Sequence, residues 1–242
     1  MPPLELSDAD AGEVLARGEL EVLGRMPWAS NATLLAMASA DGVEVQAIYK
    51  PRRGERPLWD FPSGTLCQRE VATYELSDAL GWGLVPPTVL RDGPLGVGMV
   101  QRFVDHDPEE HYFTLLEEHA ERFRQFAVFD VLANNADRKG GHCLRAKQDS
   151  HIWGIDHGLT FHIADKLRTV IWDFAGEPIP QDMIATLECA LDEMHGPLRA
   201  RLEHLLAPAE VDAIEHRAEY LLRFRKFPIP DEGYHHVPWP LV

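Results

Sequence analysis

Strand-like and helix-like sequence are segregated along this chain, and this separation constrains its fold more than any other feature. Residues 19–104 contain five short alternating or apolar runs bounded by turn residues, which predicts antiparallel strands around one helix. From residue 105 to residue 242 the pattern is mainly helical, with a hairpin predicted at 142–155. The sequence therefore predicts an α+β chain with two lobes: a small sheet-rich N-lobe (1–104) and a mostly helical C-lobe (105–242).

Capping and turn residues set the expected element boundaries in the first part. Ser7 and Asp10 resemble a capping box for a short helix that ends near Gly18. The Asp41-Gly42 pair predicts a tight turn between two strands, and a second turn is expected at Asp92-Gly93.

Two helices are important for the predicted site. One is expected near residues 66–80, in "LCQREVATYELSDAL", with Val71 and Tyr74 on one face. The other is expected to begin at Asp107, which precedes a proline and two glutamates in the manner of an N-cap. We expect this second helix to continue without a break to about Ala133.

Composition disfavours several classes of function. The formal net charge is −16, from 39 acidic and 23 basic residues, and such a surface disfavours nucleic acid or an anionic membrane as a general partner. No apolar run approaches the ~20 residues of a membrane span, and the start of the sequence lacks the features of a signal peptide. The three cysteines (Cys67, Cys143 and Cys189) form no CxxC pair. Reduced thiols and a cytoplasmic location are therefore expected.

Polar residues occur in the order that phosphoryl transfer from ATP requires. Lys50 ends the strand "VQAIYK", and Glu70 on the next helix could supply the carboxylate that a buried lysine needs. Asp137, in "ADRKGGH", could orient a hydroxyl or accept its proton. Asp156, in "GIDHG", follows an apolar strand, where a carboxylate can bind Mg²⁺. Lys139 could neutralise the phosphate during transfer.

These segments resemble the protein-kinase-like fold. The chain looks closest to the phosphatidylinositol 3-/4-kinase-like branch, and it is particularly similar to type II phosphatidylinositol 4-kinases and to an actinobacterial kinase-like family. The matching motifs are "AIYKPRRGE", "REVATYELSDALG", "NNADRKGGH" and "GIDHGLTF". Four motifs in the expected order, over roughly residues 15 to 225, are more specific than any one of them alone.

The resemblance implies a role for each matching side chain. Lys50 would contact the ATP phosphates with Glu70 as its ion-pair partner. Asp137 and Lys139 would be the catalytic residues, and Asp156 would bind the metal.

The resemblance also implies how the adenine and the phosphates are held. The adenine would bond to the backbone of a hinge formed by Gln101, Arg102 and Phe103. The phosphate-covering loop has no glycine between Pro27 and Thr33, so phosphate would be cradled by small polar residues. These are Ser30, Asn31 and Thr33.

His142 departs from the pattern of the family, whose second metal-binding side chain is usually asparagine. Neutral imidazole can ligate a divalent ion, but Mg²⁺ prefers oxygen. We therefore expect ATP with either Mg²⁺ or Mn²⁺ as the cofactors.

The sequence as a whole predicts an ATP-dependent phosphotransferase with a hydroxyl acceptor. A protein serine or threonine, or a small molecule, is favoured over an inositol lipid because the chain is acidic and has no membrane-seeking segment. One alternative is a catalytically weak nucleotide-binding pseudokinase that serves as a regulatory or interaction module, with a protein partner left open. Another is a metal-dependent hydrolase that uses Asp156, His142 and Asp137.

Overall fold

The computed structural model of the protein describes residues 6–26, 32–230, 233 and 235–242. Its first half contains the strands β1 (Glu19–Arg25), β2 (Leu34–Ala40), β3 (Val43–Pro51), β4 (Thr88–Gly93) and β5 (Gly96–Arg102). They form one antiparallel sheet in the spatial order β1-β2-β3-β5-β4. The predicted sheet-rich first part is thus confirmed.

The central strand, β3, alternates its residues between the two faces of the sheet. Tyr49 belongs to the apolar cluster that packs against α1 (Asp8–Arg17), whereas Ile48 packs beside Val71 on the opposite face. Lys50 lies two residues after Ile48 and therefore shares its face. This alternation directs the lysine side chain away from α1.

Two of the predicted boundaries in this region are confirmed. The Oγ of Ser7 accepts a hydrogen bond from the backbone N–H of Asp10 (3.1 Å), and α1 ends at Gly18. Asp41 and Gly42 form the turn between β2 and β3, with φ angles of 51° and 79°. Both angles lie in the left-handed region that Asp and Gly tolerate best.

The turn predicted at Asp92-Gly93 is displaced by two residues. Asp92 pairs with Val97 in the ladder between β4 and β5, and Gly93 pairs with Gly96. The turn itself falls at residues 94–95. Pro94 has no N–H to contribute to a ladder, and its fixed φ suits a turn.

The predicted long helix from Asp107 to Ala133 is wrong. The chain instead forms a single turn of helix, α3 (Tyr112–Leu115), and then α4 (Ala120–Ala133). The carboxylate of Asp107 accepts from the N–H of Glu109 (3.0 Å), and its carbonyl accepts from the N–H of Glu110 (3.0 Å). The aspartate thus closes a turn rather than opening a helix.

The remaining elements are one helix of the first part and the hairpin and helices of the second half. The predicted helix near 66–80 is present as α2 (Leu66–Ala79), and the predicted hairpin as β6 (Cys143–Arg145) and β7 (Ile152–Gly154). The later helices are α5 (Gln181–Met194), α6 (Pro197–Glu203) and α7 (Pro208–Phe224). Buried residues of α2, α4 and these later helices share the largest apolar cluster. Across the described ranges, no helix combines the length and apolar character needed to cross a membrane.

Candidate active site

Lys50 forms ion pairs with two carboxylates from different parts of the chain. Its Nζ lies 2.6 Å from Oε1 of Glu70 and 2.8 Å from Oδ1 of Asp156. Burial alone would lower the pKa of Lys50, but the two carboxylates outweigh burial and raise that pKa above its ordinary value. The ammonium group is therefore charged and fixed between the sheet and the Asp-His-Gly segment.

Glu70 connects this lysine to the backbone beyond Asp156. Its Oε1 accepts from Lys50, and its Oε2 accepts from the backbone N–H of His157 (2.8 Å). The Glu70 side chain is only 3% exposed, so both of its oxygens depend on these protein donors. The helix α2, the strand β3 and the segment after β7 are joined at this one carboxylate.

Asp156 follows β7 in a conformation that few residues adopt. Its φ angle is 61°, in the left-handed region where Asp is tolerated better than most side chains. The Lys50 ammonium holds the pKa of Asp156 well below its usual range. The carboxylate is half-exposed, so one side of it faces the open cleft.

Asp137 is positioned by the residues that end α4. Asn134 terminates the helix in the left-handed conformation, and Oδ1 of Asn135 accepts from the N–H of Asp137 (3.0 Å). Lys139 Nζ lies 3.1 Å from Oδ2 of Asp137. Burial raises the pKa of Asp137, and Lys139 opposes that rise.

These side chains meet in one cavity. Lys50, Glu70, Asp137 and Asp156 all line a cleft of about 280 Å³. Lys50 comes from the sheet, Glu70 from α2 and the two aspartates from loops of the helical half. Lys50 and Asp156 are 106 positions apart in the sequence, and the fold brings them into contact.

His142 lies beside this cleft and is suited to a divalent ion. Its Nε2 is 3.5 Å from Oδ2 of Asp156, and its Nδ1 accepts from the N–H of Lys139 (3.4 Å). Burial lowers the pKa of His142 to about 4, so the ring is neutral near pH 7. A neutral ring nitrogen next to a carboxylate fits two ligands of a metal.

Protein side chains alone do not complete a metal site. Among the described residues, no group of three or more His, Cys, Asp or Glu side chains could hold an ion. A metal at Asp156 and His142 would therefore need further oxygen ligands from a bound phosphate or from water.

A buried polar network that sequence reasoning missed holds the chain neighbours of Asp137 and Asp156 in place. Arg138 Nη2 lies 2.9 Å from Oδ1 of Asp130, and both side chains are wholly buried. The same Nη2 lies 2.7 Å from Nε2 of His157. Thr169 Oγ1 and Asn135 Nδ2 donate to Asp130 as well. One sequence feature could have indicated this buried ion pair. Asp130 lies within the otherwise apolar end of α4, and an arginine follows it eight residues later.

A second missed contact fixes α2. Arg69 Nη2 lies 2.5 Å from Oε1 of Glu210 on α7, and Arg69 Nη1 donates to the carbonyl of Thr160 (2.6 Å). Both partners belong to the helical half, whereas the neighbouring Glu70 faces Lys50. The arginine thus fixes the helix that carries Glu70, across a sequence separation of 141 residues.

The proposed hinge residues have most of their polar groups engaged within the protein. The Gln101 amide donates to Thr88 Oγ1 (2.8 Å), the backbone N–H of Arg102 donates to the carbonyl of Pro87 (2.9 Å), and that of Phe103 donates to Gln46 (2.9 Å). The role of these three residues in adenine binding stays a prediction. It would have to rely on backbone groups other than the N–H groups of Arg102 and Phe103.

The phosphate-covering loop is only partly described. Ser30 and Asn31 lie outside the described residues. The carbonyl of Thr33 accepts from the N–H of Met26 (2.9 Å), and Ala32 lines the cavity. Of this loop, the structure places Ala32 at the cleft, and the contact of the loop with phosphate stays a prediction.

The fold is that of protein kinases. A proinflammatory kinase of Helicobacter pylori, CtkA, aligns with a TM-score of 0.54 and 11% identity, over 88% of this chain and 94% of that one. The Golgi casein kinase with Mn/ADP bound aligns with a TM-score of 0.55 and 14% identity, over 96% of this chain and 79% of that one.

At the level of sequence, no protein-family model matches the chain. It is 42% identical to Protein Rv2133c of Mycobacterium tuberculosis over 266 aligned positions, which cover 96% of this chain and 95% of that protein. The chain belongs to the same family as that mycobacterial protein.

Proposed function

We propose that this protein is an ATP-dependent phosphotransferase that moves the γ-phosphate to a hydroxyl acceptor. The observation that carries the proposal is the convergence of Lys50, Glu70, Asp137 and Asp156 on one cavity of about 280 Å³. Residues 1–104 would form the N-lobe and residues 105–242 the C-lobe, with the nucleotide between them. Phosphoryl transfer requires this set: a cation on the phosphates, a carboxylate for the metal and a carboxylate for the acceptor.

Each side chain would have one task in the reaction. Lys50, kept in place by Glu70, would bind the phosphates of ATP. Asp137 would orient the acceptor hydroxyl and take its proton as the acceptor oxygen bonds to the γ-phosphorus and the bond to the β–γ bridging oxygen breaks. Its raised pKa suits this role, because a stronger base holds the proton better. Lys139, beside Asp137, would neutralise charge on the transferred group.

Asp156 and His142 would hold a divalent ion, which when bound would neutralise phosphate charge. The ligands differ in kind: a carboxylate oxygen suits Mg²⁺, whereas an imidazole nitrogen favours Mn²⁺. The Golgi casein kinase neighbour with Mn/ADP bound supports the use of nucleotide with a divalent ion in this fold. We propose Mg²⁺ or Mn²⁺, with Mn²⁺ preferred if His142 is a ligand.

The acceptor is proposed from charge rather than from geometry. With a net charge of −16 the protein is a poor match for an anionic lipid surface. A protein serine or threonine, or a small molecule, is favoured over an inositol lipid, despite the resemblance to the phosphatidylinositol 3-/4-kinase-like branch. A cytoplasmic location and a protein partner remain predictions.

One observation favours a second candidate, a nucleotide-binding pseudokinase with a regulatory or interaction role. Lys50 already binds Oδ1 of Asp156, so a metal has to compete with an ammonium group for that carboxylate. The histidine at position 142 would further weaken a magnesium site. Such a protein would bind nucleotide without transferring phosphate at a useful rate.

ATP turnover separates the two candidates. We would measure it with Mg²⁺ and with Mn²⁺ for the wild type, Asp137→Asn, Asp156→Asn and the surface control Asp78→Asn. A kinase predicts losses of roughly a hundredfold or more in the two site variants and none in the control. If nucleotide raises Tm but turnover is the same in all four proteins, the pseudokinase is correct. Turnover of a phosphate ester without ATP would instead indicate a hydrolase.

A further inference from the structure

Residues 236–242, here called the strap, form a segment without helix or strand that lies across the loop carrying Lys139 and His142. The carbonyl of Leu241 accepts from the backbone N–H of Gly140 (2.7 Å). The side chain of Val242 comes near Gly141, since a Cβ built there would be 3.5 Å from its Cγ1. The last residues of the strap thus touch both glycines of the loop.

The other end of the strap, at His236, is bonded to Thr169 and Trp172. The carbonyl of His236 accepts from the N–H of Thr169 (3.0 Å) and from Nε1 of Trp172 (3.1 Å). Thr169 forms a bridge with Arg138, whose N–H and carbonyl both bond to residues beside Thr169. The strap therefore contacts the site region at two points: directly at Gly140 and Gly141, and through Thr169 at Arg138.

The space around Gly140 leaves no room for a side chain. Its backbone angles are open to any residue, but a Cβ would lie 2.9 Å from the ring of Phe113 and 3.3 Å from the carbonyl of Leu241. The loop is therefore enclosed between the Phe113 ring and the strap. At Gly141, by contrast, a Cβ would make only an ordinary contact with Val242.

The strap contributes little to the core near this contact. Trp239, Leu241 and Val242 are all exposed, whereas Val237 packs against the largest apolar cluster and Pro238 is buried. Loss of residues 240–242 would remove little buried apolar area, so it should cost little stability. It would leave the Gly140 N–H without its protein acceptor and would open one side of the loop.

We propose that the strap is a positioning element for the loop Lys139–His142. Lys139 Nζ lies 3.1 Å from Asp137, and His142 Nε2 lies 3.5 Å from Asp156. Both residues flank the two glycines that the strap contacts. Fixing these glycines keeps the cation and the imidazole at their distances from the two aspartates. This inference rests on the proposed phosphotransferase activity.

The first test deletes residues 240–242 and measures amide hydrogen exchange, nucleotide affinity and kcat. We expect the Gly140 amide to exchange about tenfold faster, Tm to stay within about 2 °C and kcat to fall about tenfold or more. The Kd for nucleotide should change less than kcat, because Lys50 and Glu70 do not touch the strap. Unchanged exchange at Gly140, or faster exchange with unchanged kcat, would overturn the proposal. So would a general loss of Tm, affinity and kcat together.

The second test compares Gly140→Ala with Gly141→Ala in the full chain. The first substitution places a methyl group against Phe113 and Leu241, and it should lower kcat with little effect on nucleotide Kd. The second should leave both close to wild type. Equal effects of the two would contradict positioning by the strap. If the wild type transfers no phosphate, the proposed function and the positioning role both fail, whereas the exchange rate of Gly140 still reports whether the contact exists.

Discussion

Nη2 of Arg138 lies 2.7 Å from Nε2 of His157, so the residue after Asp137 is bonded directly to the residue after Asp156. Arg138 is in turn paired with Asp130, and both of these side chains are wholly buried. The two candidate catalytic carboxylates are therefore held relative to each other through their chain neighbours. Their separation depends on a packed ionic network and not on the flexible loops alone.

Loss of Arg138 should destabilise the fold strongly. Arg138→Met leaves the buried Asp130 carboxylate without its cation, and removing one partner of a buried pair costs about 3–5 kcal/mol. Arg145→Met is the matched control: its pair with Glu110 is partly exposed, and such pairs contribute little to stability. Urea denaturation of both variants checks this. Equal losses in the two would mean that the buried network is not what holds the aspartates.

Lys139 should set the pH at which activity is lost. Burial raises the pKa of Asp137 and Lys139 opposes that rise, so Lys139→Met should raise the pKa further. Asp137 must be ionised to take a proton, so activity falls as pH drops through its pKa. We therefore expect the acid limb of kcat/KM to move to higher pH in Lys139→Met. It should not move in Lys147→Met, whose pair with Asp105 is exposed. A limb that stays in place or moves lower would exclude Asp137 as the base.

The three cysteines should differ sharply in reactivity. Burial raises the pKa of Cys67 to about 11 and that of Cys143 to about 12, whereas Cys189 is exposed. Because the thiolate is the reactive form, iodoacetamide at about pH 7.5 should modify Cys189 alone until denaturant is added. Intact mass and peptide mapping would show this. Rapid labelling of Cys67, which lines the cleft, would mean that the N-terminal end of α2 opens in solution.

Local patterns were enough to predict most of the sheet. Alternating strands, the Asp41-Gly42 turn and the Ser7 cap each depend on a few neighbouring residues, and the structure has all of them. The helix expected from Asp107 was wrong because capping and turn formation use the same residue type. Asp107 bonds to Glu109 in either case, and the sequence does not reveal whether a helix follows.

The sequence predicts the charged residues of the cleft, but not the contacts that hold them in place. The sequence predicts Lys50, Glu70 and Asp156 because a known chemistry needs those residue types in that order. It does not predict the pair Arg69 and Glu210, because no short motif connects residues 141 positions apart. The contact of Leu241 with Gly140 could not be predicted either, because it is a bond between backbone groups, which every residue type has.

The most direct test of a shared triphosphate site is calorimetric titration of ATP with Mn²⁺ or Mg²⁺ into the wild type, Lys50→Met and Asp156→Asn. Lys147→Met serves as a surface control, and circular dichroism checks that each variant is folded. Charge-assisted bonds of the kind lost here are worth about 1.5–3 kcal/mol, which is roughly a tenfold to hundredfold change in Kd. We predict metal-dependent binding in the wild type and the control, weakened by that factor in Lys50→Met and Asp156→Asn. Folded variants that all bind metal–ATP with the wild-type Kd, or a wild type that binds none, would contradict a shared triphosphate site.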